Sequence, residues 1–151
     1  LNSMLCEESM SEEKIQYPRY MERSQGFSIP ENKCFYVVSF EALVYYDLKS
    51  GEVTEIDDWD FDETRNVILL DGKEIPFIGL WGGSPILNKS GIGRLSLNAS
   101  TVTLKREDGT ETNWSLENFS GDWEQVTFDA KTNAFLYGAP YDFDYRFVSI
   151  T

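Results

Sequence analysis

The stretch DDWDFDETRN, from Asp57 to Asn66, holds the side chains best placed to do chemistry. Asp58, Asp60 and Asp62 stand at alternate positions, with Trp59 and Phe61 between them. Three uses suit carboxylates at that spacing. The first is calcium, because an EF-hand loop begins with acids at alternate positions. The sixth position of such a loop would be Glu63, where the sharp turn needs Gly. The twelfth would be Leu69, where a bidentate Glu belongs. The EF-hand reading fails at both. The second use is glycoside hydrolysis, which needs two carboxylates ~5–10 Å apart. Asp142 and Asp144, in YDFDYRF, repeat the alternating pattern between Tyr141, Phe143 and Tyr145, and Glu41 and Glu124 are further candidates. Nothing in the spacing selects a pair from 26 acids.

The third use needs no catalysis. On a strand, Asp58, Asp60 and Asp62 share one face and Trp59 and Phe61 the other. Acid rows beside rings would steer a basic protein and anchor it. The expected contact residues are Asp58, Asp60, Asp62, Asp142 and Asp144 for charge, with Trp81, Tyr141 and Tyr145 as rings.

The composition favours this third use. The chain of 151 residues has 13 Lys and Arg against 26 Asp and Glu, a net charge of −13. That opposes binding to nucleic acid, where cations neutralise phosphates, and to anionic membranes. There is no histidine. Ser-His-Asp and Cys-His pairs and histidine metal sites are therefore excluded, as is the usual general base near neutral pH. No enzyme activity, cofactor or metal is expected. Cys6 and Cys34 are too few for a zinc site, and are read as a reduced pair, which places the protein in the cytoplasm. The alternative is a periplasmic or secreted protein whose leader has been removed. Residues 1–3, ahead of Met4, read as a cloning remnant. Four N-x-S motifs, at Asn88, Asn98, Asn113 and Asn118, are read as coincidence.

The elements that must hold these residues are strands. Residues 1–33 are polar and read as a partly flexible arm, with at most one short helix near SMSEEK. Residues 34–151 read as a single β domain. Ala42–Tyr46 and Glu52–Ile56 form a hairpin across Asp47–Gly51. NVILL and KEIPFIGL form a second, with Asp71-Gly72 as its turn. STVTLKR and TETNWSL form a third around Glu107–Gly109, EQVTF and AFLYG a fourth, and YDFDYRFVSI closes the domain. Trp81–Gly93 reads as a long loop. The opening stretch also has an echo: Phe61-Asp62 followed by Asn66 matches Phe128-Asp129 followed by Asn133. Asp before Asn between two apolar runs is turn chemistry. The expected fold is mostly β, antiparallel hairpins curled into a sandwich or small barrel.

The profile is small, acidic, aromatic-rich and without catalytic groups. It resembles that of bacterial immunity proteins, and the resemblance implies a protein that neutralises a basic toxin or nuclease domain by covering its active site. The alternatives are a carbohydrate-binding or extracytoplasmic β module, calcium-assisted, and behind it a carboxylate-based glycoside hydrolase.

Overall fold

The computed structural model describes residues 12–15, 24–79, 82–116, 123–140 and 144–150. The fold is mostly β and antiparallel throughout, as the hairpin pattern requires. Its centre is a four-stranded sheet in the order β1 (Glu12–Lys14), β15 (Asp144–Ser149), β14 (Ala134–Ala139), β13 (Gln125–Phe128). The run AFLYGA of β14 is buried at every position. A strand that is apolar without alternation needs cover on both faces, and β14 has it. Ala134 and Leu136 face Phe27, Phe35, Val37 and Ile78. Phe135, Tyr137 and Ala139 face Leu95, Val102, Leu104 and Leu116. The molecule is thus three layers thick here, where the sequence pattern suggests two.

One outer layer has the order β12 (Glu111–Ser115), β11 (Thr101–Arg106), β10 (Gly93–Asn98), β9 (Asn88–Lys89). It is covered on one face only, and its strands alternate accordingly. In β11, Val102 and Leu104 are buried while Lys105 is exposed. The other outer layer has seven strands, ordered β5 (Glu52–Ile56), β4 (Leu43–Asp47), β3 (Cys34–Val38), β2 (Gly26–Ser28), β8 (Lys73–Gly79), β7 (Val67–Leu70), β6 (Asp60–Asp62).

That order dictates a curl. Flat, the six gaps between β5 and β6 would separate the two edges by about 29 Å. Ile56 and Asp60 are nevertheless joined by three residues, and four Cα steps reach at most about 14 Å. The sheet must bend until its edges approach, and one sheet is indeed a curled half-barrel. Its concave side holds a separate small core of Val38, Leu43, Ile68 and Phe77, with Ile56, Trp59 and Phe61 packed against it.

The four hairpins stand where turn residues predict them. Asp71 and Gly72 take φ of 50° and 74°, as a two-residue hairpin turn requires. Three elements differ from the sequence reading. Residues 12–15 and 24–33 are built into the sheets rather than forming a separate arm. Glu12–Lys14 pairs with β15 and is a strand, and Ile15 and Phe27 are core residues; Ser9 and Ser11 lie outside the described residues. The expected long loop is irregular or turn at 83–87 and 90–92 but is tied to the sheets: the Phe128 N–H donates to the Ile86 carbonyl, the Leu95 N–H to that of Leu87, and Asn88–Lys89 forms β9. Finally, β10 pairs with β11 through Ala99 and Ser100, both left-handed at φ 49° and 64°.

Neither Ala nor Ser favours that conformation, so the turn holds strain of about 1–2 kcal/mol per residue. Ala99 is exposed. Ala99→Gly is expected to raise stability by about 0.5–1 kcal/mol, read as a higher urea midpoint at unchanged slope.

Candidate functional site

The acid row lies at the seam of the half-barrel. Asp57, Asp58 and Asp60 are exposed, Asp62 is half-buried, and Trp59 and Phe61 turn the other way. Phe61 meets Phe77 edge-on, with ring centroids 4.9 Å apart. The aromatics therefore close the small core and leave Asp58 and Asp60 in water, as alternation predicts, while Asp57, at the parity of Trp59, is exposed in the link before β6. Among the described residues, none of these three takes part in an ion pair. Asp62 differs: its Oδ1 accepts the Arg65 N–H at 3.2 Å, and Asn66 is left-handed at φ 56°. It serves the turn, as its echo at Asp129 does. Glu52 and Glu55 on β5 are also exposed. Charge along two unpaired strand edges discourages pairing with other chains, which gives the row a structural role beside any functional one.

A ring the sequence did not single out stands at the same end. Phe40, at the tip between β3 and β4, is 68% exposed. The tip is fixed from below. Ser39 Oγ accepts the Glu41 and Ala42 N–H groups at 3.2 and 2.9 Å, a local turn that leaves Phe40 outside. Leu43 pairs with Ile56, so this tip and the Asp57–Asp58 link lie beyond the same end of the sheet.

Of the second acid row only Asp144 lies among the described residues, and it is not at the surface. Tyr141 and Asp142 lie outside the described residues, as does Trp81. Asp144 is buried at 8% exposure and Tyr145 completely. Asp144 accepts two bonds of 3.2 Å from the Arg146 guanidinium, which also reaches Glu12 at 3.4 Å. Tyr145 packs edge-on against Phe27, and its hydroxyl is 2.6 Å from Ser24 Oγ. The physical reason is position. The strand β15 runs between β1 and β14 inside the middle layer, so alternation along it chooses between two cores and not between core and water. Asp144 and Tyr145 are corrected here from contact residues to architecture.

Burial pushes the Tyr145 phenol well above its ordinary value, against the opposing Ser24 hydrogen bond. The unfolded chain releases this proton near the ordinary phenol value of about 10. The resulting stability is complete below that pH. It falls as pH rises beyond it, by about 1.4 kcal/mol per unit, until the folded value is reached. Alkaline unfolding monitored by circular dichroism is expected to steepen above pH ~10, and Tyr145→Phe is expected to flatten that limb.

Of the other two candidate carboxylates, Glu41 is exposed and Glu124 is committed to the fold. Glu124 accepts the Ser100 N–H at 3.1 Å, the Tyr137 hydroxyl at 2.6 Å and the Ser100 hydroxyl. Among the described residues no group of three acids or thiols converges to hold a metal ion. The tryptophans also serve packing: Trp59 and Trp114 are half-buried against the two smaller cores, and Trp114 meets Phe135 edge-on at 5.0 Å. The N-x-S motif at Asn113 has a local cause: Asn113, Trp114 and Ser115 point out, in and out along β12.

No family model, no curated protein and no solved structure matches the chain.

Proposed function

We propose that the protein is a non-catalytic binding protein that docks the acidic end of its half-barrel on a basic protein partner. The observation that carries this reading is the pairing of Asp57 and Asp58, exposed and outside any ion pair among the described residues, with a ring exposed beyond the same sheet end, Phe40; Asp60, also exposed and outside such ion pairs, continues the row into β6. Asp60 Oδ1 accepts the neighbouring Phe61 N–H at 2.8 Å, and carboxylates that keep their charge in water are able to steer a cationic surface. An aromatic that stays exposed beside them supplies the apolar anchor that steering alone lacks. The net charge of −13 extends the same field beyond contact distance. A toxin or nuclease domain is the kind of basic protein in view, with the acid end laid over its cationic site. The test is affinity capture from the native cell with two baits, the natural chain and Asp57→Lys/Asp58→Lys/Asp60→Lys. A basic protein retained by the first and lost by the second is the expected result. Equal retention by both would remove the acid end from the account.

A further inference from the structure

A groove of about 630 Å³ opens beside the Cys34 end of β3 and the Lys73 end of β8. Its walls include Ile29, Ile75, Pro76 and Ile86, and its aromatic side is Tyr36 and Tyr45, paired across strands with centroids 4.9 Å apart. Cys34 opens into the same space. Its sulfur lies 3.1 Å from the Lys49 Nζ, which also donates to the Asn32 carbonyl at 2.8 Å and lies 3.6 Å from Asp47 Oδ1. The Tyr45 hydroxyl faces the same sulfur. That contact, more than burial, holds its phenol above the ordinary value, so the group stays a donor. Two features that arise separately therefore meet. One is a half-buried thiol flanked by an ammonium and a phenol, the surroundings in which cysteines act as nucleophiles. The other is a concave space of small-molecule size whose apolar walls stand beside charges of both signs, Glu31, Lys73 and Glu74, and barrel mouths are a recurrent place for such sites.

We infer that Cys34 is a covalent modification site for a low-molecular-weight peptide disulfide, which the groove binds before it reacts. The chemistry is thiol–disulfide exchange. The Cys34 sulfur attacks one sulfur of R–S–S–R, the S–S bond breaks, and a Cys34–S–S–R bond forms. The other half leaves as R–S⁻ and takes up a proton, while the Cys34 thiol gives one to solvent. The protein thiol is oxidised, half of the disulfide is reduced, and no further oxidant is needed. Lys49 is the positioning residue, because its ammonium holds the sulfur at the groove. This assignment is independent of the acid end.

The test uses the full chain carrying Cys6→Ser, with oxidised glutathione as the probe and the glutathionyl adduct followed by mass spectrometry. Native Cys34 is expected to react about tenfold faster than the same thiol in the urea-unfolded chain, with a rate that saturates as the probe concentration rises. Lys49→Met is expected to remove most of that advantage, and Lys49→Arg to keep it. Ile75→Trp, which fills the groove, is expected to slow oxidised glutathione while leaving iodoacetamide unaffected. A native rate at or below the unfolded rate would overturn the proposal. So would a rate linear in probe together with indifference to Ile75→Trp.

Discussion

Asp129→Asn is expected to lower the free energy of unfolding by about 2–4 kcal/mol, the largest loss from any single isosteric change considered. The side chain is fully buried. Its Oδ1 accepts the N–H groups of Asn32, Lys131 and Thr132 at 2.9, 2.8 and 3.0 Å, and its Oδ2 accepts that of Lys33 at 2.8 Å. Asn32 and Lys33 are both left-handed, at φ 54° and 66°, a conformation that costs about 1–2 kcal/mol at each. Hydrogen bonds to a charged acceptor, each worth about 1.5–3 kcal/mol, offset that strain. The carboxylate is therefore the clamp that ties the turn before β3 to the turn between β13 and β14. The amide keeps one accepting oxygen but sets an NH₂ group against the Lys33 N–H, donor against donor. Asp129→Ala removes every acceptor and is expected to cost more still. Urea denaturation of both variants checks this. A midpoint for Asp129→Asn equal to that of the natural chain would show that the clamp is idle.

This clamp marks the limit of what the sequence discloses. The turn role of Asp129 toward its own neighbours is legible, because Asp followed by Asn between apolar runs is local chemistry, and the same signals place the turns at Asp71-Gly72 and Gly51. Its second role is not: Asn32 and Asp129 are 97 residues apart, and no local pattern records a contact made by the tertiary fold. The same division runs through the candidate site. Alternation correctly sends Asp58 and Asp60 outward and Trp59 and Phe61 inward, because that strand borders water. It misplaces Asp144 and Tyr145, because a middle layer offers two interiors and a period of two cannot tell an interior from solvent. The turn at Ala99-Ser100 is silent for another reason. It uses residues with no left-handed preference, and the paired strands force the conformation. Nothing in the sequence marks Phe40 as exposed, because a Phe beside an apolar strand reads as core, and only the short Ser39 turn puts it outside.

Asp57→Lys/Asp58→Lys/Asp60→Lys carries the second large expectation, on binding and not on folding. These carboxylates lie outside any ion pair among the described residues, so their reversal is expected to leave the urea midpoint within about 0.5 kcal/mol. Reversing three charges changes the net charge by six, from −13 to −7, and turns the local field from attractive to repulsive for a basic surface. Association with the captured basic partner is expected to slow by about 10–100-fold at low salt, while dissociation changes little. Phe40→Ala should behave in the opposite way. Loss of an anchoring ring is expected to speed dissociation by about tenfold and to leave association nearly untouched. Two variants, each acting on a different rate constant, would separate steering from anchoring.

The most direct measurement is the association rate constant of that partner as a function of ionic strength, for the natural chain and the triple charge-reversal variant. A steep fall with salt in the natural chain and a flat or rising dependence in the variant is the predicted result, because the Debye length of about 10 Å at 0.1 M screens only what those acids contribute through solvent. Two parallel lines would contradict the account and show that Asp57, Asp58 and Asp60 serve only to guard the open edge of the half-barrel.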